Sequence, residues 1–124
     1  MPIQWYSKRQ ATVESSTYGS ELVVARVATE LTMVLRYRLR MLGVPVNGPA
    51  MLFGDNQSMI TNCTISTNTL KKKHNAIAYH RVREAVAVGV LNLVYVSSQD
   101  NVADMLTKPL GPQQHYPVMS RYLV

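Results

Sequence analysis

Cysteine is almost missing from this sequence. Cys63 is the only one in 124 residues, so no disulfide can form within the chain. A chain without disulfides suits a reducing compartment, and the expected location is intracellular, cytoplasmic or nuclear. Nothing around Cys63 marks it as a catalytic thiol. No secretory signal stands at Met1, so Asn56-Gln57-Ser58 and Asn62-Cys63-Thr64 read as chance matches to the glycosylation pattern. Long apolar runs are missing too. None approaches the ~20 residues that cross a bilayer, which removes a membrane partner from the expectations. Acid is scarce: seven Asp and Glu stand against 13 Lys and Arg, a net charge of +6. That imbalance points to a polyanionic partner. Internal repeats, low-complexity tracts and linkers are absent, and the length allows one domain at most.

What is present is a globular composition, 47% apolar, in segments whose period switches between two and 3.6. Residues 2–7, "PIQWYS", alternate and predict a short strand, followed by a basic turn and a second extended piece. Ser15, Ser16 and Thr17 offer caps for a long helix over 17–42. Val24, Ala28, Leu31, Leu35, Leu39 and Leu42 recur at helical spacing and predict its buried stripe. Gly43 stops it. Ala50–Gly54 reads as a buried strand, 57–62 as one or two helical turns, and "CTISTNT" as a polar loop. A second long helix is expected over 70–88, with Ala78, Val82, Ala85 and Val86 inward and Gly89 as its stop. Val90–Val96 is a further strand. Asn101 can cap a short helix over 102–107, and Pro109, Gly111, Pro112 and Pro117 break up the tail. The expected fold is α/β, a mixed sheet with flanking helices, in a domain over 1–110 with a tail at 111–124.

Three carboxylates stand out. Asp55 closes the strand Ala50–Gly54, and ligands of open α/β sheets bind at the carboxyl ends of strands. Glu21 lies three residues before Val24 and extends the apolar stripe toward the helix N-terminus. A carboxylate there either compensates the helix dipole or pairs with something positive. Asp104 follows the last strand, where it either completes a capping box or faces a site. If the three converge, they repel one another unless cations hold them, and two oxygen-ligated divalent ions would suit phosphodiester hydrolysis. Lys71-Lys72-Lys73-His74 opens the second long helix, where cations are disfavoured unless an anion offsets them. Lys8 and Arg9 form a second basic point. His74, His80 and His115 lack metal-ligand spacing.

At these residues the sequence resembles the ribonuclease H domain of copia-type retrotransposon polyproteins. The matching stretches are "WYSKRQATVESSTYGSE", "GDNQSMI", "KKKHNAIAYHRVRE" and "YVSSQDNVADMLTKPL". They come in the family's order and approximate spacing and cover about residues 3–110. The resemblance implies a ribonuclease H-like fold, cleavage of the RNA strand of RNA–DNA hybrids, and Mg2+ or Mn2+ as cofactor. It assigns Glu21, Asp55 and Asp104 as catalytic and metal-binding residues. Asn56 and Ser58 join Lys8, Arg9, Lys71, Lys72, Lys73 and His74 as candidate nucleic-acid contacts.

Two departures matter. The glutamate region reads "STYGSEL" where many members have a shorter "STEAEY". The family's first two strands, the first bearing a catalytic aspartate, have no counterpart before "WYSK". The expectation is therefore an N-terminally truncated domain, inactive alone. It would self-associate or take the missing strands from an upstream polypeptide. The alternative is a non-catalytic, self-associating relic that binds nucleic acid.

Overall fold

The computed structural model describes residues 4–10, 17–65 and 75–122. They fall in two compact units, one over Glu14–Tyr95 and one made of Met1–Val13 with Val96–Val124.

The first unit begins with α1, Thr17–Met41. The helix ends as its glycine dictates. Gly43 takes φ +77°, its N–H donates to Arg40 O at 3.0 Å, and the Val44 N–H donates to Leu39 O at 2.9 Å. This paired closure satisfies carbonyls that the helix leaves open. The strand β1, Ala50–Gly54, follows. The helix α2, Gln57–Thr64, is capped by Asn56, whose Oδ1 accepts from Met59 N at 3.0 Å. The helix α3, Ala76–Ala87, closes like α1. Gly89 N donates to Val86 O at 3.1 Å and Val90 N to Ala85 O at 3.0 Å, with Gly89 at φ +77°. The strand β2, Leu91–Tyr95, pairs parallel with β1, Leu52 opposite Leu93.

Three helices cover one face of this two-stranded sheet. Leu22 and Ala25 of α1, Met59, Ile60 and Cys63 of α2, and Ala78, Tyr79, Val82 and Ala85 of α3 pack with Leu91 and Leu93. Thr29 is buried without loss, because its Oγ1 donates to Ala25 O at 2.7 Å. On the other face Met51 and Phe53 are exposed.

The structure corrects the sequence reading in several places. Residues 4–7 form no strand among the described residues, since alternation supplies a pattern but no pairing partner. The second extended piece lies mostly at 11–16, outside the described residues. In α1 the buried face is Leu22, Ala25 and Thr29, whereas Val24, Leu31, Leu35 and Leu42 of the expected stripe are exposed. Helical spacing identifies an apolar face but not what lies against it. The strand β1 is buried on one side only. The helix α3 begins at Ala76, and the stretch 70–74 lies outside the described residues.

In the second unit, 4–10 and 96–103 carry no helix or strand. The short helix α4 spans Asp104–Thr107, two residues later than expected, because Asn101 Oδ1 accepts from Ala103 N at 3.2 Å in a turn instead of capping a helix at 102. The tail is helical where proline suggested interruption: α5 runs Pro112–Tyr122. Pro112 sits in the first turn, where its missing N–H and fixed φ cost nothing. Pro117 lies inside the helix and is tolerated there, with Val118 beside it buried.

Candidate functional site

Asp55 stands where the chain leaves β1 for α2. Gly54 ends the strand and Asn56 caps the helix, so the aspartate is fixed between two defined backbone states. It is half-buried and has interactions with neighbouring groups. Glu21 lies in the second turn of α1, beside the fully buried Leu22, and is also half-buried. It flanks the core face and does not extend it, because the expected stripe points to solvent. Both carboxylates belong to the unit 14–95, on elements that pack against each other.

Asp104 belongs to the other unit. It opens α4, and its carboxylate turns to Lys108 rather than to a cap. The Lys108 Nζ donates to both Asp104 oxygens at 3.1 Å. The Asp104 side chain is only 16% exposed and Lys108 is 59% exposed, so the ammonium covers the carboxylate from the solvent side. Asp104 and Lys108 line a cleft of about 300 Å3 with Asn101, Gln114 and Val118.

These three side chains are hard oxygen donors of the kind Mg2+ and Mn2+ take. Within each unit, however, no three His, Cys, Asp or Glu side chains come together as a cation site among the described residues. The donor chemistry of each carboxylate fits a divalent ion.

The candidate nucleic-acid contacts divide similarly. Lys8 and Arg9 are exposed, in an irregular segment. Ser58 is exposed on the outer side of α2, in a shallow depression shared with Gln57, Thr61 and Asn62. Asn56 commits its Oδ1 to the α2 cap. Lys71, Lys72, Lys73 and His74 lie outside the described residues.

A polar cluster under the helix layer was not legible in the sequence. It joins Tyr18, Asn62, Cys63, Tyr79 and Arg83 from α1, α2 and α3. Burial pushes the Cys63 thiol up to about 11, with Arg83 opposing the rise. Burial also raises Tyr18, and proximity to Cys63 adds to it, while a hydrogen bond with Asn62 opposes it. Arg83 donates to the Tyr79 hydroxyl and lies 5.1 Å from that ring's centroid. A thiol held protonated is a poor nucleophile, so Cys63 serves packing. Only Tyr79 and Arg83, four residues apart on α3, carry a helical signal; the cluster's other members come from α1 and α2. Asn75, just before α3, is 2% exposed, and its Nδ2 has no hydrogen-bond partner among the described residues.

Among the described residues no helix is long and apolar enough to cross a membrane. No protein-family model matches the chain, and no solved structure matches it. Curated proteins do, among them three Pol polyproteins. The retrovirus-related Pol polyproteins from transposons RE2 and RE1 of Arabidopsis thaliana are each 37% identical over 111 residues, 89% of this chain. That from transposon TNT 1-94 of Nicotiana tabacum is 33% identical over 106 residues, 86% of this chain. In every case the chain spans only 8% of the relative's length. The chain is thus homologous, over most of its own length, to one short stretch of copia-type retrotransposon Pol polyproteins.

Proposed function

We propose that this chain is the ribonuclease H-like part of a retrotransposon Pol polyprotein, acting on the RNA strand of RNA–DNA hybrids with Mg2+ or Mn2+ as cofactor. The observation that carries the reading is the homology to Pol polyproteins at 33–37% identity, over a stretch that contains Asp55 at the carboxyl end of a parallel strand. Glu21, Asp55 and Asp104 are the carboxylates the chain contributes. The net charge of +6 suits a phosphate backbone, with Lys8, Arg9, Asn56, Ser58, Lys71, Lys72, Lys73 and His74 as contacts.

The site is completed by a strand from a further polypeptide segment. Among the described residues β1 pairs only with β2, so its other edge carries backbone groups suited to strand addition. The incoming strand brings the fourth carboxylate. Without it the chain is inactive, because groups that act as a unit are not replaced by those remaining.

One observation favours a second reading, a non-catalytic nucleic-acid binder: Lys108 already engages both Asp104 oxygens. Cleavage separates the two. The chain mixed with a polypeptide bearing the first strand should cut a labelled hybrid when Mn2+ is present, and Asp55→Asn should abolish the cut. Binding without cleavage in the completed mixture would establish the second reading.

A further inference from the structure

Trp5 is the only tryptophan of the chain, and it is 72% exposed. Tryptophan is highly buried on average. Tyr6 beside it is 55% exposed. Apolar residues scattered singly over a surface need no explanation, but these two rings are adjacent. Among the described residues no other ring stacks on either. Lys8 and Arg9 follow two residues on. Both are exposed, and neither is in an ion pair among the described residues. No Asp or Glu occurs before Glu14. Even fully extended, three residues reach only about 10 Å, so the rings and the cations address one short stretch of a ligand.

Flat rings beside unpaired cations, with no acid among them, fit a polymer that carries π faces along an anionic backbone. A nucleic-acid duplex presents the phosphates, but its bases are stacked on one another and leave no face for an indole. An unpaired strand presents both, faces for the rings and phosphates for the cations. A lipid surface offers anions too, but anchoring in its interface takes a helix with an apolar face, and residues 4–10 carry no helix. A second copy of the chain carries the same charge of +6 and is repelled.

We propose that Trp5, with Tyr6 beside it, is a stacking platform for the bases of a single-stranded nucleic acid, whose phosphates Lys8 and Arg9 hold. Stacking tolerates any sequence, because every base has a π face. The platform therefore selects unpaired strand over duplex and not one base over another. For its two cations this surface rests on the nucleic-acid reading above, but it requires no hydrolysis, no metal and no assembled carboxylates.

Because Trp5 is the only indole, its fluorescence reads the contact directly. The whole chain, in EDTA, is titrated with oligo-dT, with oligo-rU and with a duplex of matched length, while the anisotropy of the labelled nucleic acid follows binding in parallel. The single strands should quench the emission saturably, and the duplex should bind by charge without quenching. Trp5→Leu should weaken single-strand affinity at least about fivefold and leave its salt slope unchanged. Lys8→Ala with Arg9→Ala should flatten that slope of log affinity against log salt by roughly 1.4. Each variant should keep the wild-type circular dichroism spectrum, since all three residues are exposed and outside any helix or strand. Single strands that fail to bind or bind without quenching, Trp5→Leu that binds as tightly as wild type, or equal quenching by the duplex would overturn the proposal. So would quenching by phosphatidylserine vesicles, which would assign the segment to a lipid surface, or a blue shift with protein concentration alone, which would assign it to a second copy. Cleavage of a hybrid is read separately, with Mn2+, so failure of the platform and failure of the nuclease reading are distinct results.

Discussion

Burial holds the Cys63 thiol protonated, its pKa pushed up to about 11 from an ordinary 9.0. The unfolded chain releases that proton at the lower pH and the folded chain at the higher. Folding stability is therefore full below pH 9 and falls as pH rises from 9 toward 11. Tyr18, raised as well, steepens the fall at the upper end. Urea midpoints measured across that window should decline, and Cys63→Ala should flatten the decline. Asn75 bears on stability more simply. A buried amide nitrogen without a partner costs about 1–3 kcal/mol, and leucine has nearly the same shape. Asn75→Leu should raise stability by on the order of 1 kcal/mol, read as a higher urea midpoint at unchanged slope. A lower midpoint would mean that the amide is satisfied in solution.

At the scale of elements, glycine gives the most local control. Gly43 ends α1 at φ +77° with open space where a Cβ would sit, so Gly43→Ala carries only the backbone strain, about 1 kcal/mol of lost stability. A neutral result would show that the α1 terminus frays. The same glycines explain which elements were legible beforehand. The ends of α1 and α3 near Gly43 and Gly89 follow from local chemistry, and the observed helices stop within one or two residues of that reading. The strand over 91–95 was visible in its run of β-formers. The stripe of α1 was visible as apolar, but its outward orientation depends on which elements surround it, and that is tertiary information. Of the strand expected at 2–7, the described residues 4–7 form none: they have the alternation but no neighbour to pair with among the described residues. Helix α5 was missed because Pro112 and Pro117 read as breakers, while Pro112 at a first turn supports a helix. Among the candidate residues, the place of Asp55 at the end of β1 was legible from the apolar run over 50–54. The Asp104–Lys108 pair was not, although the four-residue spacing on a helix is its signal.

For the whole molecule, the positive charge should govern binding. Replacing Lys71, Lys72 and Lys73 by Ala should weaken nucleic-acid affinity alike across sequences, and flatten the slope of log affinity against log salt by roughly 3. An unchanged slope would make the three lysines a solvated run. The central claim, that this stretch of a Pol polyprotein contributes carboxylates to hydrolysis of RNA in a hybrid, is tested most directly by which strand is cut. The chain, joined to a segment carrying the first strand, is incubated with Mn2+ and an RNA–DNA hybrid labelled separately on each strand. The account predicts that the RNA label shortens and the DNA label does not. It predicts that the chain without that segment leaves both intact, and that Asp55→Asn in the joined protein does the same. Cleavage of both strands, or cleavage of RNA that survives Asp55→Asn, would contradict it.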